Sequence, residues 1–378
     1  MPQKFDYIII GSGLAGLQLA YALSKDPYFL KLKIAIIDPS LKETNDKTWC
    51  FWEKGIGKWD EIIYSTWNHG KFISSEANIE LKLDPYSYKM LRSLDFYSFI
   101  KSALKSKTNF HFILDEIVEI DEISSIATGK EGNYIASHFF DSRIDSRYLE
   151  DSKSTKIFQH FKGWHIKTKT PVFDKSTFTM MDFRIKFPES TSFTYVLPLN
   201  ESEALLEYTF FTPFLTEDPV YDTYLKRYIK EILKIDEYEI LATEKGVIPM
   251  TDHNFHDASS SKVTKIGTAG SWVKGSTGYS FKHTEKKIAQ LIANLKFGKE
   301  PRDGLINNRF RWYDAIFLDV LNRNNEQGEE LFSKFYSKNS PQAIFKYLDE
   351  ETNISEELKI MFSLYDPEFV RSFFRKLF

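Results

Sequence analysis

The chain has a single cysteine, Cys50, among 378 residues. One thiol excludes an internal disulfide framework and suits a reducing compartment. Charge of one sign is missing too: 50 Lys and Arg stand against 53 Asp and Glu, and a net charge of −3 provides no global basic field to attract nucleic acid. None of the eight histidines belongs to an H-E-x-x-H or cysteine-paired set. His253 and His256 stand three apart in a polar loop without a third ligand, so no metal is expected. No G-x-S-x-G elbow, internal repeat or low-complexity tract occurs. Too few apolar residues follow Lys4 for a signal peptide. The uncharged stretch Tyr7–Ser24 is interrupted by Gly11, Gly13 and Gly16, which predicts a strand turning into a small-residue helix and no transmembrane span.

What the chain does have is aromatics, 33 Phe, 20 Tyr and 7 Trp, or 16% of all residues. That suits a large apolar ligand or a membrane surface, although a Phe-rich core is the commoner use of most such residues. At the start, the apolar run Phe5–Ile10 meets Gly11-Ser12-Gly13-Leu14-Ala15-Gly16, and a second apolar run, Leu32–Ile37, ends on Asp38. A glycine triplet alone is weak evidence. Strand, turn, Ala/Leu-rich helix, strand and acid in this order predict a dinucleotide-binding unit. Gly11 lets the strand turn, Gly13 lets backbone N–H groups approach a pyrophosphate, and Gly16 lets the helix lie close to the strand. Leu14 and Ala15 open the helix whose N-terminus receives the phosphates, and Asp38 can accept the adenosine ribose hydroxyls.

Further along, Leu41–Asp60 reads as an aromatic-rich loop, and Tyr88–Leu104 has apolar residues at helical spacing. Strand-like runs follow at 110–114, 117–120 and 134–140. From 157 to 211, long β runs with alternating aromatics predict an antiparallel second layer. Val263–Ile266 leads into Gly267-Thr268-Ala269-Gly270, and Gly275 and Gly278 introduce a helix over 283–294. The fold class expected is α/β: a Rossmann-like cofactor domain from residues 1–150 and 246–300, an inserted antiparallel β-sheet substrate layer at 151–245, and a helical region at 301–378.

Three segments carry a resemblance: Asn45-Asp46-Lys47-Thr48-Trp49-Cys50-Phe51-Trp52, Leu206-Glu207-Tyr208-Thr209, and Gly267 to Phe281 with Gly270-Ser271-Trp272 at its centre. They resemble lycopene β-cyclases, in family order and over most of the chain. The resemblance implies FAD, active when reduced, with NAD(P)H as reductant, and cyclisation of lycopene without net redox change. It also implies a cytoplasmic protein peripherally bound to the inner face of the cell membrane.

On this reading Glu207 is the acid, on a strand among apolar neighbours where desolvation keeps it protonated. Tyr208 stands where the family has a second acid, leaving a single carboxylate. Trp49, Phe51, Trp52 and Tyr208 are expected against the polyene, and Cys50 as a small hydrophobe. Arg92 matches a flavoprotein helix start where an arginine reaches the flavin. Thr268, where many flavoproteins have Asp, is expected with Gly270 and Gly278 along the flavin edge. A flavin hydroxylase, a polyprenyl reductase and a non-catalytic dinucleotide-binding regulator remain open alternatives. The terminal run 369–378 interleaves aromatics with cations, as either an interfacial or a packed helix would.

Overall fold

The computed structural model describes residues 2–377. The first apolar run is the strand Gln3–Ile10, with Ile8, Ile9 and Ile10 buried. It lies parallel between Ile34–Asp38 and Asn133–Asp141, and Phe110–Leu114 extends the sheet beyond Ile34–Asp38. Parallel neighbours need a crossover, supplied by the helix Leu14–Lys25. The far edge of Asn133–Asp141 is shared: the hairpin Ile117–Asp121 and Ile126–Gly129 pairs with its first half, and Val263–Lys265 lies parallel to its end. Both ends of the chain therefore build one layer, and this is the Rossmann-like α/β layer that the fingerprint predicts.

A second sheet runs in the order Tyr238–Thr251, Lys156–Thr168, Glu203–Thr212, Thr191–Pro198, Thr177–Asp182, His69–Ile73, Asn78–Lys82. Leu206, Tyr208 and Phe210 alternate onto one face, in a core with Tyr221 and Leu225 of the helix Asp218–Arg227. Phe193, Leu205 and Phe211 occupy the other face, in a core with Phe332 and Phe345 of the C-terminal helices Gly328–Lys338 and Pro341–Leu348. A small antiparallel sheet, Thr48–Lys54, Tyr86–Arg92 and Ser65–Trp67, bridges the two layers.

Four segments differ from expectation. Thr48–Lys54 is a strand and not part of a loop, because it pairs over its whole length with Tyr86–Arg92. That pairing also holds Tyr88–Arg92 extended, so the helix begins only at Ser93 and runs to Leu104. The hairpin His69–Lys82 belongs to the second sheet although it lies within 1–150, and Gly246–Thr251 completes a strand of that sheet. Gly246 and Pro249 are accommodated there because Tyr238–Thr251 is an edge strand, where a proline costs no ladder bond.

The helix Pro367–Leu377 packs one face on Asn308–Arg323, with Ser372 Oγ donating to the Ile316 carbonyl at 3.1 Å and Phe373 edge-on to Trp312. Its Val370, Phe374 and Leu377 are exposed, and Phe378 lies outside the described residues. Among the described residues no helix is long and apolar enough to cross a membrane.

Each of the two large sheets encloses a histidine. His138 Nε2 meets Thr264 Oγ1 at 2.8 Å, and His160 lies between Tyr221 and Thr212. Burial lowers both from the usual 6.5 to about 4. Between those values the unfolded chain binds protons that the folded one does not, so stability falls as pH drops below about 6.5, by about 1.4 kcal/mol per pH unit for each histidine. In urea titrations from pH 7 to 5, unfolding free energy is expected to fall less steeply in His138→Gln than in the wild type, by one histidine's share.

Candidate functional site

One cavity of about 520 Å³ runs from the glycine turn of the first strand to the inner face of the second sheet. Gly13, Leu14, Ala15 and Gly16 form its first wall. The helix they open has no side-chain cap, so its first backbone N–H groups are available to an anion. A Cβ built on Gly13 would meet nothing within 4 Å, whereas one on Gly16 would stand 1.9 Å from the Gly11 carbonyl oxygen. Thus Gly13 leaves room for a ligand and Gly16 permits the close packing of helix on strand. Thr268, Thr277 and Gly278 close the opposite side, with Gly278 at a φ of +74°. The Thr277 hydroxyl is buried without a partner, a donor open to a bound group.

Gly11, Asp38 and Gly270 stand behind this wall. Gly11 takes a φ of +96°, and a Cβ on Gly270 would come within 2.3 Å of the Lys265 carbonyl oxygen. Asp38 accepts from the backbone N–H of Ser12 at 2.6 Å and of Ser40 at 2.8 Å, fixing the turn. Arg92 does not reach the cavity. Asp95 receives its guanidinium at 2.7 and 3.1 Å, and the Tyr64 ring stacks beneath it at 3.9 Å.

The floor is the second sheet. Tyr195, Glu207, Gly163 and Glu244 form a row across four neighbouring strands, and Phe193, Thr209, Phe211 and Phe161 flank it on the same face. Glu207 is held well above the usual carboxyl range, first by desolvation, then by a hydrogen bond to Glu244 and by its negative charge. Glu244 Oε2 accepts from Thr48 Oγ1 at 2.8 Å. Opposite, Tyr195 donates to the Tyr88 hydroxyl at 2.8 Å, and Tyr88 and Tyr279 hydroxyls lie 2.9 Å apart. Burial pushes these phenols and the Cys50 thiol upward, so all stay protonated.

Of the expected substrate residues, only Trp49 lines the cavity. Trp49 faces the cavity, edge-on to Phe96 and Tyr97. Phe51 instead stacks on Phe281 at 4.5 Å, and Trp52 stacks on Phe345 while its Nε1 donates to Asp349. Tyr208 points away beneath the sheet, its hydroxyl donating to Ser192 at 3.1 Å. Alternate residues of a strand face opposite ways, so Glu207 and Tyr208 cannot share a site.

A sequence profile described as lycopene cyclase protein matches residues 6–377. The chain belongs to the lycopene cyclase family. No curated protein matches it. Among solved structures it is similar to a geranylgeranyl bacteriochlorophyll reductase-like protein from Thermoplasma acidophilum, 13% identical over 100% of both chains with a TM-score of 0.61. It is also similar to a flavoprotein/dehydrogenase from Cytophaga hutchinsonii, 13% identical over 92% of this chain and 93% of that one at 0.61. A flavin-dependent brominase, 13% identical over 96% and 94%, scores 0.59. At these identities the likeness establishes the fold.

Glu244 is the residue that sequence reading missed, and with it the expectation of a lone carboxylate fails. The second acid comes from a different strand, across Gly163, where local sequence holds no trace of it. His253, by contrast, is engaged by Asp151 at 2.7 Å.

The two glycines of the cradle are expected to behave oppositely. Gly16→Ala forces a Cβ onto backbone and should lower unfolding free energy by about 1–3 kcal/mol, read by denaturant titration. Gly13→Ala should leave that midpoint unchanged, because a Cβ there meets nothing within 4 Å.

Proposed function

We propose that the chain is a lycopene β-cyclase, which closes the ψ ends of lycopene into β-ionone rings, giving γ-carotene and then β-carotene, with reduced FAD bound and no net redox change. The observation that carries this beyond family membership is the joining of two features in one cavity. A carboxyl group kept neutral by its surroundings, Glu207, faces the aromatic end of the same space whose other end is an uncapped, glycine-lined helix start.

FAD suits that cradle: Gly13 to Gly16 and the helix N-terminus would take its pyrophosphate, and Thr268, Thr277 and Gly278 would border the flavin. Asp38 reaches the ribose only by sharing the oxygens that now hold Ser12 and Ser40. When bound in reduced form, FAD supplies negative charge close to a developing cation. NAD(P)H enters this proposal solely as reductant.

The residues of the chain carry the proton chemistry. Glu207 adds its proton to C2 of the ψ end, and the C5–C6 double bond attacks the resulting cation at C1. Loss of the C6 proton then gives the β ring. Rings along the walls, Trp49, Phe161 and Tyr195 among them, present π faces or edges that steady positive charge and exclude water. The exposed Val370, Phe374 and Leu377 of the last helix, beside Arg371, support peripheral contact with the inner face of the cell membrane, where the polyene dissolves.

A flavin hydroxylase or a polyprenyl reductase would use the same fold, since function resides in the site. Product mass separates them. Anaerobic incubation of the protein with FAD, dithionite and lycopene in liposomes is expected to give isomers of unchanged mass with shortened conjugation. Gain of oxygen or of two hydrogens overturns the cyclase reading, and bound FAD with unaltered lycopene moves it to a regulator or another substrate. Glu207→Gln is expected to retain FAD and lose about 100-fold or more of the ring-closing rate.

A further inference from the structure

Residues in register on neighbouring strands stand about 5 Å apart, so two glutamates separated by a whole strand begin about 10 Å apart. Glu207 and Glu244 nevertheless meet. The strand between them presents Gly163, and a Cβ there would lie 3.0 Å from the Cγ atoms of both. Two Cγ atoms each 3.0 Å from one point are no more than about 6 Å apart, which lets the carboxyl groups meet above that gap, and the Glu244 carboxyl raises the pKa of Glu207 by hydrogen bonding and by charge. Thr48, from the bridging sheet, donates to Glu244 Oε2, and the enclosed Glu244 Oε1 has no other protein donor. A carboxylate only accepts, so a bond between two carboxyl groups requires a proton on one of them. The other titratable groups around the pair, Cys50, Tyr88, Tyr195 and Tyr279, are neutral and held protonated by burial.

We propose that Glu207 and Glu244 hold one proton between them across Gly163, and that Glu244, Gly163 and Thr48 are positioning residues which let Glu207 both release and recover it. The proposal deepens the cyclase reading and takes its substrate from it. C2 and C6 are both bonded to C1 in the forming ring, so one carboxyl group reaches both. The C1–C2 π pair forms the new C2–H bond with the Glu207 proton. The C5–C6 π pair forms the C1–C6 bond, and the C6–H pair restores the C5–C6 double bond. The departing proton returns to Glu207. In the interval two adjacent carboxylates repel each other, which makes the vacated site a base of the right strength for that last step. The pair begins and ends with one proton.

Infrared difference spectroscopy on the FAD-loaded protein tests this independently of turnover. The carboxylic-acid carbonyl band that disappears in Glu207→Gln marks the shared proton. Glu244→Gln removes the neighbouring negative charge, so the band is expected to titrate at least about one pH unit lower than in the wild type, with the basic limb of the lycopene reaction moving alongside. Gly163→Ala parts the carboxyl groups and should shift both in the same direction by less, and it carries the test if Glu244→Gln does not fold. A band that titrates at the wild-type pH in the folded variants overturns the shared proton, whatever happens to lycopene. If the band shifts but wild-type protein leaves lycopene unaltered, the pair stands and the cyclase reading falls.

Discussion

A carboxyl group shut away from water must either find compensation or stay neutral, and the arrangement around Glu207 follows from that constraint. Desolvation is the largest influence upon it, and its nearest charged neighbour is another acid. Both favour the protonated form, the opposite of what a salt bridge would do. Ion pairs are placed elsewhere: Lys274 meets Asp314 and Glu350 at 3.0 and 3.3 Å, and Lys89 meets Glu53 at 3.1 Å. Lys274 fixes the loop after Gly270 to the C-terminal helices and Lys89 ties two strands of the bridging sheet together, while the floor itself is left with a proton to give.

The second sheet can build such a floor because both its faces are covered. Beneath it, Leu206, Tyr208 and Phe210 pack on the helix Asp218–Arg227, which holds the strand Glu203–Thr212 in one register. A slip of one residue would exchange Glu207 for Tyr208 in the cavity, so the packing underneath specifies the chemistry above. His160 adds to this restraint, bonded to Tyr221 and Thr212 within the same buried layer.

Legibility in the sequence followed the range of the interactions. The glycine turn, its strands and the helix after Gly278 are local patterns, and each appears where periodicity and turn chemistry predict. Thr48–Lys54 was unreadable as a strand because its partner lies beyond a loop and its apolar residues do not alternate: both faces are covered, Cys50 and Trp52 by one core, Trp49 and Phe51 by another. A two-sided strand loses the period-2 signature, and the same loss made all three aromatics look equivalent. Arg92 pairs with Asp95 one helical turn on, a local contact that its place before a helix start already offers. Glu244 needed cross-strand register, with the glycine opposite it as the only signal.

The hydroxyl groups opposite Glu207 bear on what kind of reaction the cavity can finish. Tyr195 donates to Tyr88, Tyr88 and Tyr279 share a bond, and Tyr279 ends the chain on the Met180 sulfur at 3.5 Å. The chain spends these hydrogens on one another and on a thioether, a poor acceptor, leaving little to hold an ordered water beside the acid. On the cyclase reading, that is the condition a tertiary cation requires. Where hydroxyl hydrogens are engaged and the emptied carboxyl pair stands closest, the internal double bond and then loss of a proton are the favoured ways to quench the cation. Unpaired hydroxyls beside the acid would have offered hydration as a rival outcome, and the partnerless Thr277 hydroxyl stands instead beside Gly278 at the glycine-lined end. The closed hydroxyl network and the paired acids therefore act together, one withholding a nucleophile and the other supplying a base.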